Sequence, residues 1–163
     1  MLFSIIITMN SSRYIQNIFP HYKLLFNNTH NITRTMRQRM THRGYRGGLL
    51  TLIHNKHAFP DNLSKIPTPA NILPFLQIIR IANQSLQPWL LINIYTPSHE
   101  EDLPLIPIIQ MTIIEQINAH PNDAYVICGD FNCDIALRGR QNDQQITPSQ
   151  DKDYQWRLFM DNL

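Results

Sequence analysis

The first 60 residues contain no aspartate and no glutamate, although they carry eight lysines and arginines. A hard cation such as Mg²⁺ prefers oxygen ligands with carboxylate charge, and in this third of the chain Thr8 and Asn10 offer neutral oxygens only. Cysteine is nearly as scarce. Cys128 and Cys133 form a C-x4-C pair without histidine or cysteine partners in a ribbon or finger pattern, which argues against a zinc site. Cys128 lies inside an apolar run and reads as a small core residue. Long hydrophobic runs are missing too. The opening "MLFSIIITMN" is too short to span a bilayer and lacks a basic leader and a small-residue cleavage site, so it reads as a buried strand and no membrane partner is expected.

What is present fits one folded domain over residues 1–163. An apolar fraction of 43% argues against disorder throughout, and a chain of this size buries roughly two-thirds of its unfolded surface. The net charge of +2 conceals an asymmetry: from Asp61 onward there are six basic and twelve acidic residues. The acid-free third concentrates arginine in "NNTHNITRTMRQRMTHRGYRGG" (27–48), with Arg34, Arg37, Arg39, Arg43 and Arg46. Such a segment is either a polyanion contact or a solvated loop. A second turn-rich segment, "NKHAFPDNLSKIPTPAN" (55–71), also reads as a loop.

Apolar runs bounded by turn residues predict strands at 2–8, 22–26, 48–54, 75–82, 89–95 and 125–130, some of them covered on both faces. Between the last two, Ile106, Ile109, Ile113 and Ile117 mark one face of a helix whose first turn is confined by Pro104 and Pro107. Strand, helix and strand in that order predict a crossover between parallel neighbours. A last helix is expected over "DKDYQWRLFMDNL", with Tyr154, Leu158 and Asp161 on one side and Trp156 and Phe159 nearby.

The crossover places "NIYTP" and "GDFN" at the same end of one sheet, so Tyr95, Asp130 and Asn132 are expected to emerge together. In α/β sheets ligands usually bind at that carboxyl edge. The alternative is a plain turn, because glycine, aspartate and asparagine all suit tight turns, with Tyr95 a half-buried strand-end aromatic. His99, in "SHEED", precedes a run of acids that fits the approach to a helix and is given no catalytic role.

Taken in order, "GGLLTLIH" (47–54), "LLINIYTP" (90–97), the helix and "VICGDFN" (126–132) resemble the endonuclease/exonuclease/phosphatase superfamily, nearest to the endonuclease domain of LINE-type retrotransposons. The resemblance spans roughly residues 20–160 and includes the wording of "GRQNDQQITPSQ" (139–150). It implies a DNase I-like α/β fold of two sheets with outer helices, and Mg²⁺-dependent hydrolysis of a phosphodiester, with DNA as the partner and nuclear action. Carried over, Asp130 orients and deprotonates the attacking water, Asn132 bonds to the phosphate or that water, and Tyr95 donates to a phosphate oxygen.

Two parts of the family pattern have no counterpart. The metal-binding glutamate of an early strand is missing, and a late Asp-His pair after further strands is not reached by Leu163. No metal ligand is therefore assigned. The expectation is a domain incomplete at both ends, weakly active or inactive alone. The alternative is a non-catalytic nucleic-acid-binding remnant that uses the arginines of 34–46; a third possibility is a product that folds poorly because sheet edges and apolar faces stay uncovered.

Overall fold

A computed structural model describes residues 2–6, 12–27, 49–56, 62–83, 86–97, 100–133 and 151–163. Its elements are β1 (Leu2–Ile6), α1 (Ser12–Ile18), β2 (Tyr22–Phe26), β3 (Leu49–His54), β4 (Leu63–Ile66), β5 (Leu76–Asn83) and β6 (Leu86–Tyr95). A 3₁₀ turn (Glu100–Leu105) leads into α2 (Ile106–Ala119), followed by β7 (Ala124–Asp130) and α3 (Lys152–Asp161). The class is mixed α/β with two sheets: β1-β3-β2, and β4-β5-β6-β7. All pairings are antiparallel except β6 with β7, which is parallel.

Strict alternation along the strands decides which layer each side chain enters. Leu50 and Leu52 of β3 pack with Ile15 of α1 on one side of their sheet. Ile53, on the opposite side, meets Ile79 of β5 and Leu91 of β6. The remaining face of the larger sheet buries Leu76, Ile78, Leu90, Ile92 and Ile94 against Ile106, Ile109 and Ile113 of α2 and Trp156 and Phe159 of α3. A helix therefore lies outside each sheet, and the two sheets pack on one another between them. Burying an aliphatic side chain of this size stabilises by about 1.5–3 kcal/mol.

The seam between the sheets is partly polar. The Thr51 hydroxyl donates to Gln77 Oε1 at 2.6 Å and accepts from Asn93 Nδ2 at 3.1 Å, while Gln77 Nε2 donates to the Leu25 carbonyl at 3.0 Å. Thr51, Gln77 and Asn93 are all buried, so these bonds replace water that the three side chains have lost. Asn27, at the end of β2, donates to the carbonyls of Leu73 and Leu76 at 2.7 and 2.6 Å. Directional bonds of this kind hold one relative placement of the layers where apolar contact alone is non-directional.

Several expectations change. The segment 55–71 is not wholly a loop, because Leu63–Ile66 pairs with Ile78–Ile81 as the edge strand β4. Four residues stopped by Pro67 are too few for periodicity to reveal. Helix α1 is also an addition; its two turns end at Ile18, just before Pro20. On α3 the buried residues are Trp156 and Phe159, whereas Tyr154 and Leu158 face solvent. The β7 strand is less covered than its sequence implies: Tyr125 and Val126 are 40% and 37% exposed at the edge of the sheet. Thr8, Asn10, His99, the five arginines of 34–46 and residues 139–150 lie outside the described residues. Among the described residues no helix is long and apolar enough to cross a membrane.

Candidate functional site at the β6 and β7 strand ends

The parallel pairing of β6 with β7 runs from Trp89 opposite Ala124 to Tyr95 opposite Asp130. Helix α2 makes this direction possible by carrying the chain back along the sheet before β7 begins. The ladder continues one step further, where the Thr96 N–H donates to the Asp130 carbonyl at 2.8 Å. Tyr95 and Asp130 thus stand side by side at the carboxyl ends of neighbouring strands.

Tyr95 is half-buried, its N–H donating to the Phe75 carbonyl at 2.9 Å. Its ring stacks on Phe75 with 6.3 Å between centroids and 11° between planes. Such contact orients the phenol without using its hydroxyl.

The glycine of "GDFN" has a steric cause. Gly129 sits opposite Ile94 with φ +137°, and a Cβ there would lie 1.9 Å from the Ile94 carbonyl oxygen. Only glycine accepts both that angle and that approach. The chain then turns sharply. Asp130 is exposed, and its Oδ1 accepts the Asn132 backbone N–H at 2.9 Å, an Asx-type turn. Asn132 adopts φ +45°, a left-handed conformation that asparagine tolerates better than most residues. Its Nδ2 donates to the Thr96 carbonyl at 2.8 Å, which ties the turn after β7 to the end of β6.

The plain-turn reading of "GDFN" is observed. The residues do form a turn, and the turn gathers Asp130 and Asn132 beside the end of β6 where Tyr95 lies.

Phe131 points the other way, into the core. Its ring meets Trp156 edge-on at 5.1 Å, and Trp156 meets Phe159 in the same manner at 5.4 Å. Helix α3 is thus docked beneath the turn. Asp151 caps it, its side chain accepting from the Asp153 and Tyr154 N–H groups at 2.9 and 3.3 Å. The next residue, Lys152, donates from its ammonium to the Asn132 carbonyl. Sequence reading overlooked Lys152, Thr96 and Phe75; only the docking of α3 brings Lys152 to residue 132, and no local pattern signals it.

Cys128, two residues before Asp130, packs toward Ile53, Ile79 and Leu91. Burial pushes its thiol pKa up, which favours the protonated, unreactive form over a thiolate. Its role is packing.

Among the described residues no three histidine, cysteine, aspartate or glutamate side chains stand together. Among the described residues the strand-end turn offers one carboxylate, with one oxygen committed to the backbone, and it is met by the ammonium of Lys152, whose neighbours Asp151 and Asp153 lie at the start of α3. That donor set fits Mg²⁺ poorly, since the ion seeks carboxylate oxygens and is repelled by a neighbouring cation. Amide, phenol and ammonium are all hydrogen-bond donors suited to an anion: Lys152 meets Asn132 at the turn, and Tyr95 is the register partner of Asp130. No protein-family model matches the chain, and no curated protein matches it.

Proposed function

We propose that this chain is a phosphodiester hydrolase domain of the DNase I-like kind, directed at DNA as in the retrotransposon-type endonucleases its motifs resemble, with weak or no activity from these 163 residues alone. The observation that carries the reading is the Tyr95–Asp130 register pair, with Asn132 tied to Thr96 across the same two strand ends. A scissile phosphate seated there would have a donor, a base and an amide within one small area.

In this reading Asp130 orients a water and accepts its proton, which requires an exposed carboxylate with an oxygen not used by the turn. Asn132 holds the water or a phosphate oxygen through its carboxamide, and the Tyr95 phenol donates to another oxygen as charge develops. In the family the motifs resemble, bound Mg²⁺ supplies further positive charge against the phosphate. The first 60 residues contain no carboxylate to hold it. Losing such a contribution commonly costs orders of magnitude in rate, hence the low activity proposed.

The test is a titration of the isotope-labelled 163-residue chain with a duplex oligonucleotide, beside a plasmid-nicking assay in Mg²⁺. Resonances of residues 95, 130 and 132 should move on binding while nicking stays near background. If the duplex binds without moving them, the strand-end reading is wrong; Mg²⁺-dependent nicking abolished by Asp130→Ala would instead overturn the low-activity part. The competing reading is a non-catalytic binder that uses Arg34, Arg37, Arg39, Arg43 and Arg46, for which the observation is their clustering in the acid-free third. Binding that weakens steeply with salt, yet ignores both Mg²⁺ and Asp130→Asn, favours it.

A further inference from the structure

Resting on the phosphodiester reading of the same edge, we infer that Lys152 is a phosphate-binding residue of the site, its ammonium supplying the positive charge that an anionic substrate needs beside Asp130. Asp130 is exposed and a phosphodiester is itself anionic, so the two repel when brought together. Lys152 is the cation that the described contacts bring to this turn, through its bond to the Asn132 carbonyl. An ammonium has three N–H donors and this bond uses one, leaving two for phosphate oxygens. Lysine serves phosphate sites as such a point charge.

The placement is held by more than the lysine's own flexible stem. The Asp151 cap fixes the start of α3, and Trp156 and Phe159 are buried against Phe131 and the core. Lys152 is consequently half-buried at the rim. Because it also holds Asn132, the one ammonium joins turn geometry to anion binding: the helix is part of the site although it lies twenty residues along the chain.

The experiment compares the full-length wild type, Lys152→Met and Lys152→Arg in two titrations: inorganic phosphate followed by the resonances of 130–133, and a duplex oligonucleotide followed by affinity against salt. Trp156 fluorescence checks that α3 stays docked in each variant. Lys152→Met should reduce the magnitude of the log–log salt slope by about 0.9, the value for one phosphate contact, and abolish the phosphate shifts. Lys152→Arg should restore both, which separates loss of charge from loss of fold. An unchanged slope in Lys152→Met, with residues 95, 130 and 132 still moved by the duplex, overturns the role of Lys152 and leaves the hydrolase reading standing. Phosphate shifts that depend on Lys152, in a chain that fails to bind the duplex, keep the anion subsite and remove DNA as the substrate. Silence in both titrations overturns the subsite and the hydrolase reading together.

Discussion

The Asn132 side-chain amide donates to the Thr96 carbonyl at 2.8 Å across a gap of 36 residues in sequence. With the Asp130 carboxylate on the Asn132 N–H and the Lys152 ammonium on its carbonyl, one residue is held at three points in a left-handed conformation. Asn132→Gly is expected to relieve the backbone cost but lose the amide bond, for a net destabilisation of about 1 kcal/mol. Asn132→Val loses the bond and adds β-branched strain at positive φ, roughly 2–3 kcal/mol in all. Urea denaturation of the two variants should rank them in that order.

Gly129→Ala tests the close approach of β7 to β6. The added methyl would overlap the Ile94 carbonyl at 1.9 Å, and backbone cannot swing aside as a flexible side chain can. A loss of about 3 kcal/mol or more is expected, or failure to fold. A midpoint in urea within error of wild type would contradict the pairing of these two strand ends.

The Arg80–Asp123 pair gives stability a dependence on acid. The guanidinium of Arg80, on β5, bonds both carboxylate oxygens of Asp123 in the turn before β7, at 2.6 and 3.2 Å. Those hydrogen bonds, aided by charge attraction, hold the Asp123 carboxyl below the usual carboxylate range. In the unfolded chain Asp123 titrates near its ordinary value of about 3.9 and binds more protons than the folded chain there. Stability from the pair is therefore fully present above about pH 4 and is lost as pH falls through the lower folded value. Because the Arg80 side chain is 32% exposed, solvent screening limits the effect to about 1 kcal/mol. Thermal melts from pH 6 down to pH 2.5 should show a smaller acid loss in Asp123→Asn than in wild type.

Thr51→Val probes the polar seam. The exchange conserves shape but removes the hydroxyl that donates to Gln77 and accepts from Asn93. An amide oxygen deprived of a buried donor costs about 1–3 kcal/mol, more than the extra methyl returns. Chemical denaturation with near-ultraviolet circular dichroism should report lower stability with the same secondary structure. A stabilised variant would show that the seam contributes nothing to holding the sheets together.

Much of the layout was legible from local pattern. The isoleucines at 106, 109 and 113 are fully buried on one face of α2, and the two flanking runs are parallel neighbours, because period and length are properties of a few adjacent residues. The motif ends at Tyr95 and Asp130 could be placed at one sheet edge for the same reason. Short elements escaped: four residues of β4 and two turns of α1 carry too little periodicity to stand out from the turn residues around them.

The amino-acid order alone determined the longer strands and the apolar side of α2, since those preferences arise within one or two turns of backbone. Stacking of the layers decided the rest. It selected Trp156 and Phe159 over Tyr154 and Leu158 as the buried side of α3, left Val126 at an open edge, and set Thr51 opposite Gln77. It also brought Lys152 onto Asn132. Contacts between residues far apart in the chain depend on how complete faces pack, and no short stretch of sequence contains that information.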